Sequence, residues 1–99
     1  VRLVSNALAG RVNHYTFISS ISAYASLSLP GQDESGAVGT MADPTVETVD
    51  YETYGPLKAL CEKAAMEGFP GSTLCVRPGL IVGPHDPSDR FTYWPLRMA

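Results

Sequence analysis

DYETYGPLKALCEKAAMEGFPGSTLCVRP, residues 50–78, holds a helix and the strand after it, and its reading sets the fold. Leu57, Leu60, Cys61, Ala64 and Ala65 fall at i, i+3, i+4, i+7 and i+8. One helical stripe is therefore apolar, and Glu62, Lys63 and Glu67 are expected to face away from it. Pro56 is tolerated only in a first turn, where its missing N–H has no partner to lose, so the helix is expected to begin near Thr53 as cap. Gly68 and Pro70 end it. The β-prone run STLCVRP, residues 72–78, then reads as a strand.

Upstream, HYTFIS at residues 14–19 is rich in aromatic and β-branched residues and nearly free of charge. Such a run suits a strand buried on both faces of a parallel sheet. Strand, helix and strand at these lengths describe a βαβ crossover, so the class is α/β. Residues 1–9 carry Leu3, Val4, Ala7 and Leu8 at helical spacing, with Gly10 placed to terminate the helix. Residues 26–50 contain Pro30, Gly31, Gly36, Gly39 and Pro44, and every charge there (Asp33, Glu34, Asp43, Glu47, Asp50) is negative. A loop of that length inside a compact domain is more often functional or mobile than merely connecting.

Composition narrows the function classes. Ninety-nine residues suffice for one domain or part of one. The net charge of −3, with no cluster of bases, leaves nothing to follow a phosphate backbone, so nucleic acid is not an expected partner. No apolar run reaches the ~18 residues that span a bilayer, and a soluble, cytoplasmic protein without a membrane partner is expected. Cys61 and Cys75 have neither the number nor the spacing of a disulfide framework or zinc site and read as buried free thiols. His85, Asp86 and Asp89 in HDPSDR read as turn chemistry rather than a metal site, and no metal is expected. Asp89 is expected to fix that loop with Arg90. Tyr93 and Trp94 read as packing residues, and His14 as structural. Both ends look cut, so a fragment of a larger protein is expected.

Tyr54 and Lys58 stand four apart at the start of the helix, within reach of one point. A phenol is a poor proton donor or acceptor at neutral pH unless a nearby cation favours the phenolate, and Lys58 is the cation in reach. Ser19, Ser20 and Ser22 close the first strand at the rim where ligands bind in open α/β sheets. A hydroxyl, a phenol and an ammonium then converge as a proton-transfer group. No G-x-S-x-G elbow is present to support a hydrolase.

FISSISAY (17–24), YGPLK (54–58) and VRPGLIVGPHD (76–86), in that order, resemble the extended short-chain dehydrogenase/reductase superfamily of the NAD-dependent epimerase/dehydratase type. The resemblance covers most of residues 12–90. It implies a Rossmann-like doubly wound parallel sheet, here as a partial domain over residues 1–99, and an enzyme that moves hydride to or from a substrate carbonyl or hydroxyl with NAD or NADP. It implies Ser20, Tyr54 and Lys58 as catalytic residues: Tyr54 as acid/base, Lys58 as its activator and grip on the nicotinamide ribose, and Ser20 orienting the substrate oxygen. It also sets Pro78, Gly79, Leu80 and Ile81 beside the cofactor. Ser22 is the alternate hydroxyl, and Arg90 is a candidate for an anionic substrate group. Leu80 stands where nucleotide-sugar enzymes often carry asparagine, so a less polar carbonyl substrate is equally compatible.

The glycine-rich dinucleotide fingerprint is absent; Gly31, Gly36 and Gly39 lack its spacing. The expected partners are therefore a small-molecule substrate, the rest of the same Rossmann domain and, through the tyrosine helix, a second copy in a homodimer. The rival reading is a non-catalytic NAD(P)-binding regulatory or interaction protein of the same fold.

Overall fold

The computed structural model describes residues 1–88 and 90–99. Its elements in chain order are α1 (Arg2–Leu8), β1 (Tyr15–Ile18), a one-turn 3-10 helix (Ile21–Ala23), α2 (Tyr54–Gly68), β2 (Thr73–Val76) and α3 (Tyr93–Met98). β1 and β2 pair in parallel, with Tyr15 opposite Thr73 and Ile18 opposite Val76, and α2 connects them. The architecture is mixed α/β around a two-stranded parallel sheet. Among the described residues no helix is long and apolar enough to cross a membrane.

Only one face of the sheet is covered. Tyr15, Phe17, Thr73 and Cys75 alternate inward beneath α2, whereas Thr16, Ile18, Leu74 and Val76 are exposed. The expectation of strands buried on both faces is therefore corrected: α2 lies on one side, and no described element lies on the other. On the covered side Tyr15 stacks on Phe69, with centroids 5.2 Å apart. Thr73 Oγ1 donates to the Phe69 carbonyl at 2.9 Å, satisfying backbone at the end of α2. Total exposed surface is 7633 Å², well above the ~5,500 Å² expected of a compact chain of this mass.

The buried stripe of α2 also differs from the expected one. Gly55, Ala59, Glu62, Ala64 and Ala65 are buried, while Leu57, Leu60 and Cys61 are only half-buried. Small residues let the helix approach the sheet and the 3-10 turn closely. Glu62, expected to face away, is 2 % exposed; it turns inward because Arg77, at the end of β2, waits there as its partner. Both cysteines are free and half-buried.

α1 forms as expected, and Gly10 beyond it takes a left-handed φ of +73°. Its buried residue is Ser5, whereas Leu3 and Val4 are exposed. Gly68 explains the choice: a Cβ there would lie 2.7 Å from Ser5 Cβ, so two small residues set the approach of α1 to α2. Tyr93 and Trp94 pack edge to face on each other at 5.1 Å. They belong to α3, which buries no residue, so the two rings pack on each other at the surface.

Candidate functional site

The first turn of α2 is held by Asp50. Its Oδ1 accepts from the backbone N–H of Glu52 and Thr53 at 2.9 and 2.8 Å. Thr53 occupies the N-cap position but makes no side-chain cap bond; its hydroxyl donates instead to the Thr48 carbonyl at 2.7 Å. Thr53 thus stands at the cap position as expected, and Asp50 holds the turn that leads into it. Hydrogen bonds from Thr53, backbone first, hold the Asp50 carboxyl below its ordinary pKa.

Behind Tyr54, Gly55 touches the 3-10 turn so closely that any Cβ would collide with the Ser22 carbonyl oxygen. Glycine is required here by contact rather than by φ. The consequence is that Ser22 and Tyr54 line one cleft, of about 790 Å³. Tyr54 is 40 % exposed.

Lys58 sits one turn further on. Its Nζ donates to the carbonyl of Ile18, the last residue of β1, at 3.1 Å. The same Nζ lies 5.2 Å from the Phe17 ring centroid and 6.0 Å from that of Tyr54. One of three ammonium N–H donors is used in this way, leaving two for a ligand. The ammonium is therefore fixed at the carboxyl end of the sheet, beside the phenol.

Ser20 serves a different neighbour. Its Oγ accepts from the Ser22 N–H at 3.1 Å and caps the 3-10 turn, and Ser20 does not line the Tyr54 cleft. Of the three serines at the end of β1, Ser22 is the one that lines that cleft. The turn after β2 reaches the same rim, since the Ile21 N–H donates to the Pro78 carbonyl at 3.1 Å. Gly79 lies against Ile21, where an added Cβ would be 3.8 Å from Ile21 Cδ1. Leu80 and Ile81 project freely, 73 % and 66 % exposed.

Arg90 is held elsewhere. Its Nε and Nη2 donate to Asp86 at 3.2 and 3.3 Å, and hydrogen bonds from Ser88 and then Arg90 lower the Asp86 carboxyl to about 2. Asp89, the residue expected to hold Arg90, lies outside the described residues. Among the described residues no group of three or more His, Cys, Asp or Glu is placed to hold a metal ion.

Behind the site stands an ion pair that periodicity alone hid. Arg77 donates through Nε and Nη2 to the two carboxylate oxygens of Glu62 at 2.9 and 2.6 Å. The guanidinium also lies 4.5 Å from the Tyr24 ring centroid, and Tyr24 lines the Tyr54 cleft. Burial pushes the Glu62 carboxyl up, but the Arg77 hydrogen bonds and the charges of Arg77 and Lys58 outweigh it, so its pKa falls below the ordinary value. The same hydrogen bonds raise Arg77. A signal was available in the sequence: Gly55, Ala59, Glu62, Ala65 and Phe69 recur at spacings of three and four, an alternative stripe with one acid in it.

Comparison with protein-family models, with curated proteins and with solved structures returned no match.

Proposed function

We propose that this chain is the central and carboxy-terminal part of a Rossmann-like NAD(P)-binding domain in an oxidoreductase or epimerase-type enzyme. The observation that carries the reading is the Lys58 Nζ bond to the Ile18 carbonyl with Tyr54 one turn before it. That bond sets a phenol and an ammonium at the carboxyl end of parallel strands, where open α/β sheets bind ligands.

The residues fit a nicotinamide nucleoside. Lys58 retains two donors for ribose hydroxyls, and the exposed apolar side chains of Leu80 and Ile81 offer a wall for a flat ring. When bound, the cofactor accepts or gives the hydride. Tyr54 Oη delivers a proton to the substrate carbonyl oxygen during reduction, or removes it from the hydroxyl during oxidation. Ser22 shares the cleft and orients the substrate oxygen, with Ser20 holding the Ser22 backbone in place.

The position of Ser20, which caps the 3-10 turn and does not line the Tyr54 cleft, favours a second reading, a protein of this fold that binds NAD(P) and regulates or docks without turnover. One experiment separates the two. Full-length protein is assayed for nicotinamide oxidation and reduction against carbonyl and alcohol panels, alongside Tyr54→Phe. Loss of 10²-fold or more in kcat, the usual size of a general acid/base contribution, supports catalysis. An unchanged kcat contradicts it.

A further inference from the structure

Two cavities meet at Tyr24. It lines the cleft beside Tyr54 together with Ser22, Leu27 and Tyr51. A second cavity, of about 380 Å³, is lined by Glu62 and Met66 of α2, by Cys75 of β2 and Arg77 just after it, and again by Tyr24. No other described residue belongs to both linings. Arg77 lines the second cavity and not the cleft, so it meets Tyr24 from behind, while a ligand in the cleft would meet it from the front.

This partition is held at both backbone and side chain. The Tyr24 N–H donates to the Ile21 carbonyl at 3.1 Å. Tyr24 pairs with Val38 in an antiparallel bridge, where the N–H groups of Ala25 and Gly39 donate to the carbonyls of Ala37 and Ala23, each at 2.8 Å. Those bonds fix the Cα but not the ring. The ring is met by the Arg77 guanidinium, 4.5 Å from its centroid. Arg77 is in turn locked by its two bonds to Glu62, and the two side chains are 16 % and 3 % exposed. Replacing a buried ion pair by apolar residues of similar volume is often neutral or stabilising, so stability alone gives no reason for a charged pair at this position. Tyr51, on the same cleft, is by contrast fully exposed.

We propose that the Tyr24 ring contacts the substrate in the Tyr54 cleft, and that Arg77 and Glu62 are positioning residues that act on the substrate through that ring. The substrate in that statement rests on the function proposed above; the partition and its support do not. A ring already held in one orientation has less freedom to lose when a ligand covers it, which strengthens binding without any new contact. The planar fork of arginine suits the role, because its two-point grip on Glu62 sets the orientation of the guanidinium that meets the ring.

The test uses acetophenone, a carbonyl compound with one ring, as the probe. Its dissociation constant from full-length protein is measured by NMR titration with NAD⁺ and NADP⁺ present. Tyr24→Ala should weaken binding at least about fivefold, and Tyr24→Phe, which keeps the ring, should hold it within about twofold. The paired change Glu62→Met with Arg77→Met should weaken binding as Tyr24→Ala does, and Arg77→Lys, which keeps the charge beside Glu62 without the fork, should weaken it by a smaller factor. Adding Tyr24→Ala to the paired change should weaken binding no further than Tyr24→Ala alone, since residues that act through one side chain do not add. No saturable binding of acetophenone, indifference to Tyr24→Ala, or an equal loss in Tyr24→Phe would overturn the ring contact. Unchanged affinity in both Arg77→Lys and the paired change, or additive loss in the triple change, would overturn the positioning role. Failure of the catalytic reading looks different: the Tyr24 substitutions alter acetophenone affinity as expected, but Tyr54→Phe leaves turnover unchanged.

Discussion

Tyr15, Phe17, Thr73 and Cys75 on one face of the sheet lie beneath α2, whereas Thr16, Ile18, Leu74 and Val76 on the other meet solvent. The two sets differ little in apolar content, yet only the first is packed beneath a helix. On the covered face α2 is fixed by specific bonds: Asp50 holds the turn that leads into it, Lys58 ties it to β1, and Glu62 ties it to Arg77 just after β2. Among the described residues the bare face has no such bonds. Parallel sheets are normally covered on both faces, so this surface, with Leu74 at 51 % exposure, is where the proposed remainder of the domain would pack. The helix that covers the strands is also the one that carries Tyr54 and Lys58.

Breaking the covered side should have the largest effect on stability. Arg77→Met leaves Glu62 buried without a partner and is expected to cost about 3–5 kcal/mol in denaturant unfolding. The double change Glu62→Met with Arg77→Met should recover most of that loss, because an apolar pair of similar volume carries no desolvation cost. Loss in both to the same extent would mean that the pair's shape matters more than its charge.

The bare face sharpens the comparison. Leu74→Ala should cost less than about 0.5 kcal/mol in the 99-residue chain, as surface changes usually do. In the full-length protein it should cost about 2–5 kcal/mol if a further layer covers the strand. A small cost in both would leave that face exposed in the whole protein.

A smaller effect is expected at Gly55. Gly55→Ala drives a methyl into the Ser22 carbonyl and should cost about 1–3 kcal/mol, in the range of overpacking. It should also shift the NMR resonances of Ser22 and Tyr54 together.

The pH dependence is subtler still. The Glu62 pKa is depressed in the folded state, so its contribution to stability is fully present above the unfolded value, near 4.5, and is lost as pH falls through the lower folded value. Acid unfolding curves of Glu62→Gln should therefore be flatter below pH 4.5 than those of the parent.

Much of this arrangement was legible in the sequence. The helix over Tyr54–Gly68, its stop at Gly68 and Pro70, and the strands on either side follow from local spacing and turn residues, which act over a few positions. Which face of α2 turns inward did not follow, because Leu57 and Leu60 outrank Ala59 and Glu62 in hydrophobicity while close approach favours the small residues. The pairing of Glu62 with Arg77 spans 15 positions, and neither residue alone announces it. At the site, Tyr54 and Lys58 meet because i and i+4 meet on any helix. The position of Ser22 rather than Ser20 in the cleft depends on a 3-10 turn and a glycine contact that spacing does not encode.

The most direct test of the central claim is a structure of the full-length protein with a nicotinamide cofactor and a bound ketone. The account predicts Tyr54 Oη at about 2.6–3.2 Å from the ketone oxygen, with the Lys58 ammonium on the ribose hydroxyls. A nicotinamide ring seated away from the carboxyl ends of β1 and β2, or a ketone oxygen with no contact to Tyr54, would contradict it.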